Sequence, residues 1–285
     1  MIWEQTTLNC RGILLDLEQP IVMGILNLTP DSFHDGGKFD DAEKVLKHVE
    51  LMVRQGATII DLGAMSSRPG AEIVSPSIEG DRLFPYLNLI RQEFPDLLLS
   101  IDTVHSGVAR QALQLGAHII NDISAGTIDP KIWQVAQEAR APYILMHMKG
   151  TPQNMQDNPS YEDVVIEVLD FLIEKCGQLT ELGMIDIILD PGFGFGKSVA
   201  DNFRLLSNLH TLKILEKPLM VGLSRKSMVT KTLGIRSDEA LNGTTALHMI
   251  ALQQGAKILR VHDVLEAMQC IEIWNAMQDS ASAQA

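Results

Sequence analysis

The chain has 285 residues and a formal net charge of −13 from 23 basic and 36 acidic side chains. That balance argues against a nucleic-acid binder or a polybasic membrane adaptor, and an apolar content of 46% is that of a folded domain rather than a disordered chain. Cys10, Cys176 and Cys270 are odd in number and far apart, no apolar run reaches membrane-spanning length, and no basic leader precedes Glu4 and Asn9, so free thiols and a cytoplasmic setting are expected.

Residues 1–20 precede the first apolar run and are expected to cap or flank the domain that follows. Near-continuous apolar runs then recur at 21–28, 57–62, 97–102, 118–123, 142–148, 185–190, 218–223 and 256–262. Such runs suit strands buried on both faces of a parallel sheet. Between them the spacing turns helical. Ala42, Val45, Leu46, Val49, Met52 and Val53 share one face, with Asp40 and Glu43 placed to cap it and Gly56 to end it. Ser75-Pro76 reads as the cap and first turn of the next helix. Val165, Val168, Leu169, Leu172, Ile173 and Cys176 repeat the amphipathic pattern. Eight strands alternating with helices predict an α/β fold, a (β/α)8 TIM barrel over 21–278. It would be a single domain with a short N-terminal extension, and 279–285 a flexible tail. An open doubly wound sheet is the alternative, disfavoured by the count of eight and the single-domain length.

A barrel of this kind does its chemistry at the C-terminal ends of its strands. The polar residues ending these runs are Asn27, Asp61, Asp102, Asn121, His147, Asp190, the Ser224-Arg225-Lys226 group, and Arg260 with His262. Two connections, 29–39 and 65–74, are longer than usual for such loops, which points to lids or binding loops. The glycine-rich stretch from Asp190 to Ser198 is not a phosphate loop, because Pro191 stands where that loop needs glycine. It is expected to be a tight turn presenting Asp190 and a slot beside Phe195. No Cys-x-x-Cys, His-Glu-x-x-His or EF-hand pattern occurs, so structural zinc and calcium are not expected. Mg²⁺ held mainly by substrate phosphates needs only one protein ligand, and Asn27 could serve. Lys226 could form a Schiff base or contact an anion or carbonyl. Arg260 and His262 lie two apart on one face of the last strand, an arrangement that suits phosphate or pyrophosphate; the alternative for His262 is a core histidine. Asp102, Asn121 and Asp190 offer acceptor-rich side chains from three strands. They suit a guanine-like or pterin ring, or rim ion pairs with the nearby basic residues.

In chain order, the motifs resemble those of the dihydropteroate synthase family. They are Ile25-Leu26-Asn27-Leu28-Thr29-Pro30-Asp31-Ser32-Phe33, Ser66-Ser67-Arg68-Pro69-Gly70, Ser100-Ile101-Asp102-Thr103 and Ile120-Asn121-Asp122-Ile123-Ser124. Met146-His147-Met148, Asp190-Pro191-Gly192-Phe193-Gly194-Phe195-Gly196-Lys197, Ser224-Arg225-Lys226-Ser227 and Arg260-Val261-His262-Asp263 follow. The resemblance runs from about residue 10 to residue 275. It implies condensation of 6-hydroxymethyl-7,8-dihydropterin pyrophosphate with para-aminobenzoate, giving 7,8-dihydropteroate and pyrophosphate. Asp102, Asn121, Met146, Asp190, Lys226 and Arg260 would then bind the pterin. Asn27, Arg68, Arg260 and His262 would surround the pyrophosphate, with Asn27 on Mg²⁺. Phe33, Ser67, Pro69, Phe195 and Ser227 would form the para-aminobenzoate site, and Asp102, Arg68 and Lys226 would be catalytic.

The sequence departs from the family pattern at Gly63-Ala64-Met65-Ser66-Ser67-Arg68-Pro69, where Gly-Gly-Glu-Ser-Thr-Arg-Pro is common. The acidic residue is lost and serine replaces threonine, which bears on the shape of the para-aminobenzoate pocket and on sulfonamide affinity. A pterin-binding methyltransferase acting on a corrinoid would share the Asp/Asn pocket but would not need Ser-Arg-Lys or Arg-Val-His. A catalytically silent paralogue is the reading from a different class; intact Asn27, Arg68, Asp102, Lys226 and His262 argue against it. The resemblance also implies a homodimer, for which the apolar helix expected at 264–277 could supply the interface.

Overall fold

The computed structural model describes residues 5–29, 38–66, 70–155, 157 and 159–282. An antiparallel hairpin, β1 (Thr7–Cys10) and β2 (Ile13–Asp16), comes first. Its turn places Arg11 and Gly12 at φ 57° and 103°, the primed geometry that matches the twist of two paired strands. Eight parallel strands then close into a barrel: β3 (Ile21–Asn27), β4 (Ala57–Gly63), β5 (Leu98–Asp102), β6 (Ile119–Asp122), β7 (Tyr143–Met146), β8 (Ile187–Asp190), β9 (Leu219–Val221) and β10 (Ala256–Val261). β10 pairs with both β9 and β3, which completes the ring.

The helices α1 (Lys38–Arg54), α2 (Pro76–Glu93), α3 (Ser106–Gln114), α4 (Lys131–Ala139), α5 (Val164–Glu181), α6 (Val199–Ser207), α7 (Ser227–Leu233), α8 (Leu241–Gln253) and α9 (Val264–Ser282) surround it. Val45, Val49 and Met52 of α1 and Val168, Leu172 and Cys176 of α5 bury the expected stripes against the strands. Val53 and Ile173, counted on those stripes, face outward at 36% and 46% exposure. Ser75 caps α2, its Oγ accepting from the Ile78 N–H at 3.4 Å, with Pro76 in the first turn. α1 begins at Lys38, ahead of Asp40, and Glu43 pairs with Lys47 one turn on at 2.6 Å instead of closing a cap. α9 continues to Ser282, through residues 279–282 of the stretch read as a tail.

The barrel has a closed floor and an open top. Met23, Ile59, Leu98, Ile119, Ile144, Ile188, Met220 and Ile258 point inward low in the barrel, and Leu8, Cys10, Leu15 and Leu17 of the N-terminal segment pack onto them. Arg11 fastens the hairpin by donating from Nη1 to the carbonyls of Leu113 and Ala117, each at 2.6 Å. With its lower half filled by apolar side chains, the barrel has room for polar ones only near its top. Among the described residues, no helix is long and apolar enough to cross a membrane.

Candidate active site

Side chains alternate along a strand, so residues two beyond the floor layer also point inward. That step leads from Ile119 to Asn121, from Ile144 to Met146, from Ile188 to Asp190 and from Ile258 to Arg260; on β5 two steps lead from Leu98 through Ser100 to Asp102. Asp102, Asn121, Met146, Asp190, Phe195, Lys226 and Arg260 line one pocket, whose walls Ile123, Phe193 and Gly222 complete. Beside it, Met65, Val104, Ile123, Met146, Met155 and Phe195 form an apolar cluster above the strands. Met65, which stands where the family pattern has its acidic residue, is buried in that cluster.

The pocket is polar and dense in charge. Arg260 spans its mouth, donating from Nε to Asp61 Oδ2 at 2.7 Å and from Nη2 to Asp102 Oδ2 at 2.8 Å. Asn121 Nδ2 donates to the same Asp61 oxygen at 3.0 Å. Burial raises the Asp102 carboxyl above the usual range and Arg260 opposes it. Burial also raises Asp190, opposed by the Gly192 N–H, which donates to its Oδ1 at 2.7 Å, and by Lys226. Burial alone would weaken the charge on Arg260, but the carboxylates of Asp61 and Asp102 outweigh it and raise its pKa. Desolvation lowers the Lys226 ammonium to about 8, with Asp190 opposing. Its Nζ lies 4.1 Å from the centre of the Phe195 ring, a cation–π contact. Two carboxylates, an amide, an ammonium and a guanidinium thus converge from five strand ends on one concave surface.

Other expected residues sit around this centre. Asn27 ends β3, half-buried, and its side chain makes no hydrogen bond among the described residues. His262 lies on the rim beyond β10, its Nδ1 3.1 Å from Ser224 Oγ. Partial desolvation of its ring, then Arg260 and Arg225, lower its pKa, although the residue as a whole is exposed. Ser227 is the exposed first residue of α7, one position beyond Lys226. His147 does not face the pocket-lining side: its ring packs edge-on against Phe171, and its Nδ1 meets Lys197 Nζ at 2.9 Å. Phe33, Ser67, Arg68 and Pro69 lie outside the described residues.

Some parts of the site carried no assigned role in the sequence. Asp61 is the shared acceptor that orients both Arg260 and Asn121. Its inward parity with Ile59, two residues earlier, was the available signal. Arg225 of the Ser-Arg-Lys group turns away from the pocket; it pairs with Asp263 at 2.9 Å through Nε and so ties the β9 loop to the end of β10. A third long connection, 147–163 between β7 and α5, joins the two expected ones. It touches the second of them where the Gly70 N–H donates to the Pro152 carbonyl at 2.9 Å.

Comparison with known proteins identifies the family. The family described as Pterin binding enzyme matches residues 23–262. Dihydropteroate synthase of Escherichia coli strain K12 is 44% identical over 268 residues, 93% of this chain and 94% of that one. The crystal structure of Yersinia pestis dihydropteroate synthase with a sulfonamide drug complex superposes with a TM-score of 0.90 at 42% identity, covering 96% of this chain and 99% of that one. Xanthomonas albilineans dihydropteroate synthase with 4-aminobenzoic acid gives a TM-score of 0.89 at 39% identity, covering 96% and 98%. A family match over residues 23–262, with 44% identity along 93% of the chain, means that the chain belongs to the pterin binding enzymes and, within them, to the dihydropteroate synthases.

Proposed function

We propose that the pocket at the top of the barrel joins 6-hydroxymethyl-7,8-dihydropterin pyrophosphate to para-aminobenzoate as follows. Asp102 and Asp190 accept the N–H donors along the hydrogen-bonding edge of the pterin, and Asn121 both donates and accepts there. Lys226 donates to the carbonyl side of the ring, and Arg260 lies over its face. The observation that carries this reading is the convergence of Asp102, Asn121, Met146, Asp190, Lys226 and Arg260 on one pocket. We read the Lys226 ammonium as a cation contact rather than as an amine nucleophile, because its Nζ lies over the face of the Phe195 ring.

The reaction breaks the C–O bond between the pterin methylene and pyrophosphate, and the electron pair leaves with the phosphate oxygen. The methylene is left with positive charge shared by the pterin ring, which the Asp102 carboxylate stabilises. The amine nitrogen of para-aminobenzoate attacks this carbon and then loses a proton, so the chain supplies no covalent nucleophile. Arg68, Arg260 and His262 receive the departing anion. Phe33, Ser67, Pro69, Phe195 and Ser227 hold the arylamine, and closure of the loops excludes water that would otherwise capture the cation.

Among the described residues no group of three or more His, Cys, Asp or Glu could hold a metal. The donor set fits the other mode of Mg²⁺ binding, in which substrate phosphates supply most oxygens, because Asn27, at the end of β3, has an amide oxygen with no hydrogen bond among the described residues. Bound there, Mg²⁺ would neutralise charge on the leaving pyrophosphate. The three free, buried cysteines support a cytoplasmic setting. Leu265, Ile273 and Met277 stand exposed along α9 and support a homodimer through that helix, which light scattering would read as twice the chain mass or as a monomer.

The rim histidine gives a direct test of the pyrophosphate assignment. Partial desolvation and two arginines lower the His262 pKa, which favours its neutral form in the free protein. An incoming anion reverses that field, raises its pKa and makes it take up a proton. Calorimetry of dihydropterin pyrophosphate binding near pH 6, in buffers of different ionisation enthalpy, should show net proton uptake that His262→Asn removes. Binding without proton uptake, or uptake unchanged in the variant, would place the anion elsewhere.

A further inference from the structure

Lys197 follows the glycine turn after β8, and its side chain is 2% exposed. Its Nζ does not reach the pocket. It donates to the carbonyls of Gly192 at 2.9 Å and Phe195 at 3.1 Å, both in its own turn. It also meets Nδ1 of His147 at 2.9 Å and the His147 carbonyl at 3.4 Å, both at the end of β7. One ammonium therefore staples two strand-end loops together.

The fit between these loops leaves no slack. A Cβ at Gly192 would lie 1.9 Å from the His147 carbonyl oxygen, and one at Gly196 would lie 2.3 Å from that of Lys149. Both glycines have positive φ, 69° and 61°, so the turn needs glycine for conformation as well as for space. Asn202 holds the turn from the other side, accepting from the Gly194 N–H at 2.7 Å, and the Tyr161 hydroxyl donates to the Gly196 carbonyl at 2.7 Å. The side chain this turn delivers is Phe195, the ring beneath Lys226.

A buried ammonium is costly and is retained only where its donors are matched. Burial lowers Lys197 to about 7, with Asp190 opposing and Lys226 adding to the fall. Burial and then Lys197 push His147 to about 2, which leaves its ring neutral and its Nδ1 free to accept. Lys197→Met would leave these buried acceptors without a donor, so the side chain also contributes to stability. Beyond that, the ammonium adds direction: three donors that fix where the turn sits.

We propose that Lys197, with His147 as its acceptor, is a positioning residue for the arylamine side of the pocket, setting the Phe195 ring by stapling the Gly192–Gly196 turn to the end of β7. The inference rests on reading Phe195 as part of the para-aminobenzoate site. Small displacements of a substrate-positioning group cost on the order of tenfold or more in rate or KM. In Lys197→Met the KM for para-aminobenzoate should rise about tenfold, while the dissociation constant for dihydropterin pyrophosphate stays within about threefold of wild type. His147→Leu should shift the same KM in the same direction. His147→Asn, which keeps an acceptor at the Nδ1 position, should restore it, and Lys197→Met/His147→Leu should be little worse than Lys197→Met alone.

A purely structural role predicts something else: a smaller active fraction with both substrate constants unchanged, or equal losses for both. Either result overturns the proposal. If Lys197→Met does not fold, the comparison of His147→Leu with His147→Asn decides, and equal KM values for para-aminobenzoate refute it. Phe195→Ala separates the two levels of the argument. A raised KM there with none in Lys197→Met refutes the staple alone; unchanged KM in both refutes the placement of Phe195 and the staple with it.

Discussion

Asp190→Asn should abolish binding of dihydropterin pyrophosphate and leave the fold intact. Asp190 sits in the ring of inward side chains at the barrel top, and its Oδ1 already accepts the Gly192 N–H at 2.7 Å. An asparagine oxygen can keep that bond, so the turn and the melting temperature should hold. The second oxygen becomes an amide NH₂, which points a donor where the pterin also points donors. Hydrogen bonds to a charged partner contribute about 1.5–3 kcal/mol each. Losing the charge and opposing two donors should therefore weaken binding by more than about a hundredfold. Calorimetry checks it, and unchanged affinity in a folded variant would remove Asp190 from the pterin site.

Arg260→Met should give the largest combined loss. Arg260 bridges Asp61, fully buried, and Asp102, nearly so, at 2.7 and 2.8 Å. Removing one member of a buried ion pair costs about 3–5 kcal/mol, because the partner charge stays behind. Here two carboxylates are left facing each other. The pH dependence follows in sign. Burial already raises the folded pKa of Asp102, and without Arg260 it rises further. A carboxyl whose folded pKa exceeds its unfolded value destabilises the fold increasingly as pH rises from the unfolded pKa towards the folded one. The deficit relative to wild type should thus be smaller near pH 5 than near pH 8 in urea unfolding. Turnover should fall as well, since the same side chain serves pterin and pyrophosphate. A deficit that shrinks as pH rises would contradict the charge arrangement.

The architecture was legible because floor and wall residues obey simple periodicities. The eight apolar runs are the eight strands to within a few residues at each end, since a strand flanked by helices and barrel interior is apolar on both sides. Helical stripes were less exact: Val53 and Ile173 fall at the edges of their arcs and face outward. The pocket was legible where a polar residue ends an apolar run, as at Asp102, Asn121 and Asp190. Asp61 was named among the run-ending residues but given no role; its parity with the floor residue Ile59 would have turned it inward onto the same site. Parity would not have revealed that His147, ending a run in the same way, turns to Lys197, because that depends on a contact between two loops 50 residues apart in sequence. The 147–163 connection was readable from the gap between the run ending at Met148 and the stripe beginning at Val165, since α5 starts at Val164, but only two of the three long loops were singled out. The N-terminal hairpin was legible as something that caps or flanks, but its place beneath the floor follows from Leu8, Cys10, Leu15 and Leu17 meeting the lower layer of the barrel.

The most direct measurement is pyrophosphate release by the purified protein, given dihydropterin pyrophosphate and Mg²⁺, with and without para-aminobenzoate. The account predicts release that depends on para-aminobenzoate and matches 7,8-dihydropteroate formed, because the loops and Phe195 side of the pocket keep water from the pterin cation until the arylamine is in place. Bound dihydropterin pyrophosphate with no release in the presence of para-aminobenzoate would leave a pterin pocket without the transfer chemistry and contradict the account.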